Sequence, residues 1–159
     1  DREARVDELF LRAATLARER RFLFGGSGWD DKPLPPNVRH LGHVGTGDHN
    51  ALNSTPLAVL NVTRDSMVAN GWSPPTRVFE AAGAAACLIT DAWEGIELFL
   101  DPEIEVLVAE NGHDVASHVE CLTLERAREI GGAARERVLR EHTYAQRAEQ
   151  VEDVLGVRA

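Results

Sequence analysis

Two arginines, several hydroxyls and a carboxylate fall within one stretch of the sequence: Asn61-Val-Thr-Arg64, then Gly71-Trp-Ser-Pro-Pro-Thr-Arg-Val-Phe-Glu80. Ser73-Pro74-Pro75 reads as an N-cap followed by proline in a first turn, which predicts a helix from about residue 74 to 85 with Val78, Ala81, Ala82 and Ala85 as its buried stripe. The free N–H groups and dipole of such a helix start favour an anion such as a diphosphate. Arg64 and Arg77 can add bidentate positive charge. Arg77 and Glu80 are three apart and share a face distinct from the apolar stripe, so a cation and a carboxylate point together, an arrangement that fits a nucleoside diphosphate and its ribose. The same spacing also makes a surface ion pair worth about 0.3 kcal/mol, and spacing alone leaves both readings open.

Gly25-Gly26-Ser27-Gly28 follows an apolar run, as a phosphate-cradling loop does, but lacks the spacing of the dinucleotide fingerprint or the P-loop. It is either a close backbone approach to a ligand or an ordinary turn. His40, His43 and His49, with Asp48 nearby, are candidate metal ligands by type only; His40 and His43 are three apart in an expected strand and so face opposite sides, and no metal is expected. His113, His118 and His142 sit in polar helical contexts. G-x-S-x-G occurs nowhere, so no nucleophile elbow is indicated. Trp93, Glu94 and Glu97 read as packing and solvated acids in a strand-end loop.

These residues need elements to position them. Val6, Leu9, Phe10, Ala13 and Leu16 form one stripe of a helix over about 3–19. Short apolar strands are expected at 22–24, 38–44, 57–62, 87–90 and 104–108, a short helix or turn at 48–54, and helices at 113–121, 123–140 and 143–155, with Gly131-Gly132 weakening the middle one. Residues 30–37 form a Pro-rich loop. The alternation predicts an α/β fold: a Rossmann-like doubly wound parallel sheet with helices on both faces and a helical C-terminal third. In such sheets ligands bind beyond the carboxyl ends of the strands, which singles out the loops at 25–31, 43–50, 63–76 and 91–97.

At 159 residues, 43% hydrophobic and 27% charged, the chain suits a single domain. Its net charge of −9 excludes a broad nucleic-acid surface, although sixteen of the seventeen basic residues are arginine, which suits a local anion pocket. The longest apolar stretch, Ala81 to Ile89, falls short of the roughly 20 residues a membrane span needs. No signal-peptide pattern is visible, and Cys87 and Cys121 are two lone cysteines rather than a disulfide scaffold, so a reducing cytoplasm is expected. The absent initiator methionine suggests a fragment.

Thr63-Arg64-Asp65, Trp72-Ser-Pro-Pro-Thr-Arg-Val-Phe-Glu-Ala-Ala-Gly-Ala-Ala-Ala-Cys-Leu-Ile-Thr-Asp91 and Trp93-Glu-Gly resemble the CgeB-like (spore-maturation) group of glycosyltransferase-like proteins. The pattern continues through Glu105-Val-Leu-Val108 to Arg140-Glu-His-Thr-Tyr144 and Arg147, nearly the whole chain. The resemblance implies a single domain over 1–159, the C-terminal donor-binding half of a GT-B transferase, with its first strand upstream of Asp1 and an acceptor domain beyond. It implies that Glu80 holds the nucleotide ribose and that the turn from Ser73 through Thr76 to Arg77, with Thr63 and Arg64, meets the diphosphate. Gly25 and Gly26 would face the donor, and His43 and Val44 the base. Many retaining relatives carry a glutamate eight positions before Glu80; here that position is Trp72.

The expected activity is therefore metal-independent hexosyl transfer from a nucleotide-diphosphate sugar, with Arg64 and Arg77 stabilising the leaving group. No cofactor, nucleic acid or membrane partner is expected, and residues 1–159 alone should bind donor without efficient transfer. The rival from another class is a non-enzymatic scaffold that keeps the fold in a surface or spore-coat assembly.

Overall fold

Phe22-Leu-Phe-Gly extends as β1 (Phe22–Gly25) and pairs in parallel with β2 (Val38–Gly42), with an irregularity between Phe24 and Gly25. A second group, β3 (Val59–Asn61), β4 (Leu88–Asp91) and β5 (Leu107–Ala109), is also parallel and lies in the order β3-β4-β5. The computed structural model describes residues 2–157.

The helices are α1 (Glu3–Val6) and α2 (Arg12–Leu16), joined by a π-helical turn at Asp7–Leu11, then α3 (His49–Ser54), α4 (Asp65–Asn70) and α5 (Thr76–Gly83). The C-terminal third holds α6 (Gly112–Cys121), α7 (Leu124–Glu141) and α8 (Tyr144–Leu155). Their starts follow from local chemistry: Asn111, Thr123 and Thr143 accept backbone N–H groups as N-caps, and Gln146 completes a capping box with Thr143.

Adjacent residues of β4 serve opposite faces. Ile89 joins Val6, Leu9, Phe10, Ala13, Val115 and Ile130 in one core; Leu88 joins Val78, Ala81, Ala82, Val106 and Val138 in the other. A parallel strand covered on both sides calls for successive apolar residues, which Cys87, Leu88 and Ile89 supply up to the polar Thr90 and Asp91. The expected Rossmann-like α/β class is what forms: parallel strands flanked by helices.

Several boundaries differ from expectation. The first helix stops at Leu16 rather than near 19, because the Asn37 side-chain amide donates to the carbonyls of Ala14 (2.9 Å), Ala17 (3.3 Å) and Arg20 (3.0 Å) and caps the chain there. Leu16, expected in the stripe, is 39% exposed. Ser73 is not the N-cap of α5: a residue before proline is pushed to extended backbone, so the Pro74-Pro75 pair delays the helix to Thr76 and Pro75 takes the cap position. Within the expected loop at 63–76 the chain forms α4, closed by Gly71 at φ +61°. Cys87 precedes β4 instead of starting it, and its burial pushes the thiol up to about 11; Cys121 is exposed.

Candidate donor site at the carboxyl ends of the strands

A buried carboxylate ties the ends of β3 and β4 together. Asp91 ends β4, is 1% exposed, and accepts from the Thr63 N–H at 2.9 Å and the Thr63 hydroxyl at 2.8 Å. The Asn61 amide donates to the hydroxyls of Thr63 (3.1 Å) and Thr90 (3.0 Å), and Arg5 from α1 makes an ion pair with Asp91. With Thr63 fixed, Arg64 lies extended at the N-cap of α4, its side chain exposed.

Arg2, just before α1, donates from Nε to the Val62 carbonyl at 3.1 Å. Burial lowers its pKa from the ordinary arginine value, and the charges of Arg64 and Arg77 push the same way, against the pull of Asp91. Arg64 and Arg77 thus bear on Arg2 at this end of the sheet. Such repulsion is relieved by an anion.

Arg77, in the first turn of α5, reaches the mouth of a channel of about 760 Å³. Arg2, Gly25, Gly26, His43 and Val44 line the same mouth. Local constraints shape it. A Cβ at Gly25 would stand 2.9 Å from Val44 Cγ2, and Gly26 sits at φ +138°, a backbone region that side chains disfavour. His40 Nε2 donates to the Gly26 carbonyl (3.2 Å) and His49 Nε2 to the Val44 carbonyl (3.3 Å), so both imidazoles brace the mouth. Among the described residues no three metal-ligating side chains converge.

The structure thus gathers Gly25, Gly26, His43, Val44 and Arg77 of the residues expected from sequence, with Arg64 coupled through its charge. Thr63 is buried behind the mouth as a support. Ser73 is half-buried, Thr76 and Glu80 are exposed, and none of the three lines the channel. Arg77 and Glu80 form no ion pair among the described residues, which leaves Glu80 unengaged on the surface of α5. Trp93 is core, 6% exposed and 5.9 Å from the Phe99 ring. Trp72 is 54% exposed at φ +52°, held by its N–H to the Glu94 carbonyl (2.8 Å) and by its ring against Gly95, where a Cβ would meet Trp72 Cε3 at 2.6 Å. That φ costs a bulky residue roughly 1–3 kcal/mol.

Sequence reasoning missed Arg2 and Arg5 as parts of this end of the molecule; Asp91 fell at the start of a loop it singled out, without the bracing role seen here. The signal was available: in a parallel βα unit the helix N-terminus lies over the carboxyl ends of the strands, so the residues opening the first helix belong at the site.

Parallel strands sandwiched by helices, with arginines at their carboxyl ends, define a Rossmann-like α/β fold. The chain matches the profile of the glycosyl transferase-like family over residues 2–153 and belongs to that family. No curated protein sequence matches it. Among solved structures it is similar to sucrose-phosphate synthase from Thermosynechococcus elongatus, with a TM-score of 0.73 and 17% identity over 98% of this chain and 42% of that one. It is also similar to Anabaena HepE in complex with UDP-glucose (TM-score 0.71, 12% identity, 93% and 44% of the two chains). A Rickettsia africae glycosyltransferase aligns at TM-score 0.64 and 15% identity, over 91% and 43%. The neighbours are GT-B glycosyltransferases, and the chain spans less than half the length of each of these three. The fold is that of one GT-B half.

Proposed function

We propose that this chain is the donor-binding half of a glycosyltransferase that takes a nucleotide-diphosphate sugar, of the CgeB-like branch, acting in the cytoplasm without a metal. The observation that carries the reading is that Arg2, tied to the Val62 carbonyl where β3 ends, and Arg77, where α5 begins, line one channel, with Arg64 near enough to bear on Arg2. A departing diphosphate needs charge neutralised as the glycosidic bond to phosphate breaks, and preorganised guanidiniums supply it without a metal ion. Thr76 and the free N–H groups opening α5 extend the anion site, with Ser73 in the turn before it. Glu80 takes the ribose hydroxyls, and His43 and Val44 flank the base. The UDP-glucose bound by HepE supports a UDP-hexose as donor.

The branch assignment rests on Thr63-Arg64-Asp65 and on Trp72 to Asp91. The acceptor and any catalytic base belong to a second domain. The test is isothermal calorimetry of this chain against UDP, GDP, dTDP, ADP and their sugar conjugates. Saturable binding of one nucleotide, weakened about tenfold or more by Arg77→Ala and by Glu80→Ala, is the expected result. Absence of binding by all of them returns the chain to the scaffold reading, which the exposed Trp72 favours.

A further inference from the structure

Two loops interlock beyond the carboxyl ends of β3 and β4. Gly71 and Trp72, which follow α4, both hold positive φ, +61° and +52°. The Trp72 N–H donates to the Glu94 carbonyl at 2.8 Å, three residues past the Asp91 carboxylate that ties the two strands together. Each loop gives a glycine to the other's side chain. A Cβ at Gly71 would stand 2.9 Å from Glu94 Oε2, and one at Gly95 would stand 2.6, 3.1 and 3.1 Å from Trp72 Cε3, Cδ2 and Cζ3. The six-membered ring of the indole therefore lies on the Gly95 backbone, and the Glu94 carboxylate lies beside Gly71.

Burial does not offset this conformation. Trp93 is core, whereas Trp72 keeps 54% of its surface open. A disfavoured backbone that holds a half-open aromatic ring in place points to a contact made by that ring. Glu94 and, two residues past Gly95, Glu97 are exposed, and neither carboxylate has an ion pair or a hydrogen bond among the described residues. An open indole beside unpaired carboxylates suits two ligand classes, a cation and a sugar ring. The arginines decide between them. Arg64 at the N-cap of α4 and Arg77 in the first turn of α5 bracket Trp72 in the chain and disfavour a cation. A pyranose is neutral, offers an apolar C–H face to the ring and donates its hydroxyls to carboxylates.

We infer that Trp72 is a stacking platform for a pyranose ring, with Glu94 accepting hydrogen bonds from its hydroxyls. Which sugar this is rests on the donor reading: with the base at His43 and Val44 and the diphosphate at Arg77, the hexose of the donor comes to the β4 side, where Trp72 stands. A saccharide acceptor offers the same chemistry, and the two sources separate by experiment.

The test is calorimetry of the parent chain, Trp72→Ala and Trp72→Phe with UDP, UDP-glucose and the two methyl glucosides. UDP-glucose is expected to bind about fivefold or more tighter than UDP, with Trp72→Ala removing most of that difference at unchanged UDP affinity and Trp72→Phe keeping most of it. Glu94→Gln narrows the same difference. Loss of methyl glucoside binding in Trp72→Ala at unchanged UDP-glucose affinity upholds the platform and gives it to the acceptor. An equal loss for UDP and UDP-glucose places the ring under the base or the diphosphate and overturns the inference, as does unchanged affinity for every saccharide. If the parent binds no nucleotide, the donor reading fails and the methyl glucosides alone decide; no binding of either then overturns the platform as well. Should Trp72→Ala fail to fold, the indole N–H resonances of the parent replace it: saccharide that shifts the Trp72 signal and spares that of Trp93 upholds the inference, and an unmoved Trp72 signal overturns it.

Discussion

Thr63 donates both its backbone N–H and its hydroxyl to the same carboxylate oxygen of Asp91, at 2.9 and 2.8 Å, and so locks the ends of β3 and β4 together. Asp91→Ala leaves those donors and the Arg5 guanidinium without their acceptor. The expected cost is about 3 kcal/mol, measured as a lowered urea midpoint at unchanged slope. Asp91→Asn retains an acceptor oxygen for Thr63 and is expected to lose less, the difference reporting the Arg5 pairing.

Gly131 and Gly132 are adjacent in α7 and opposite in consequence. A Cβ at Gly131 would stand 2.1 Å from the Ala85 carbonyl oxygen, while one at Gly132 meets nothing within 4 Å. Gly131→Ala should destabilise by about 1–3 kcal/mol or more through overpacking, and Gly132→Ala should stabilise by up to about 1 kcal/mol through helix propensity. Thermal melts of the two variants check both signs.

His142 stands between α7 and α8, donating from Nε2 to the Phe99 carbonyl (3.1 Å) and accepting at Nδ1 from Arg147 (2.7 Å). Burial lowers its pKa below the ordinary 6.5, and Arg147 adds to the effect. The unfolded chain therefore binds the proton first as pH falls. The stabilisation is present in full above about pH 6.5 and is lost as pH drops through the folded value. Melting temperature followed from pH 7.5 to pH 5 should fall, and His142→Phe, which has no proton to take up, should flatten that part of the profile.

The charges of Arg64 and Arg77 both act against that of Arg2. Pyrophosphate should raise the melting temperature in low salt and lose its effect as ionic strength rises. Arg64→Ala or Arg77→Ala should cut that stabilisation while leaving the anion-free midpoint within about 0.5 kcal/mol of the parent. An unchanged pyrophosphate response in both variants would remove them from the site.

Much of this was legible in the sequence because periodicity reports burial. The stripe from Val6 to Ala13 and the apolar run ending at Ile89 placed the first helix and the central strand to within a few residues. Boundaries were less legible where tertiary contacts decide them: Asn37, distant in sequence, ends the first helix, and a six-residue α4 is too short to show a period. The Pro74-Pro75 delay, by contrast, was readable from the restriction a proline places on its predecessor. At the site, the resemblance brought forward residues that the mouth gathers, such as Gly25 and His43. It could not rank Glu80, which sits exposed and unengaged, because pairing with a ligand leaves no trace in spacing.

The division of the strands into two ladders also bears on how the protein forms. Phe22 pairs with Val38 and Ile89 with Leu107 over short separations, whereas Val59 pairs with Leu88 across the whole of α4 and α5. Short loops are the least costly to close, so the first two pairings are entropically the cheapest of the fold. The helical segment from Glu3 to Leu16 joins the two ladders, because its apolar stripe packs with residues of both, Phe22 from β1 and Ile89 from β4.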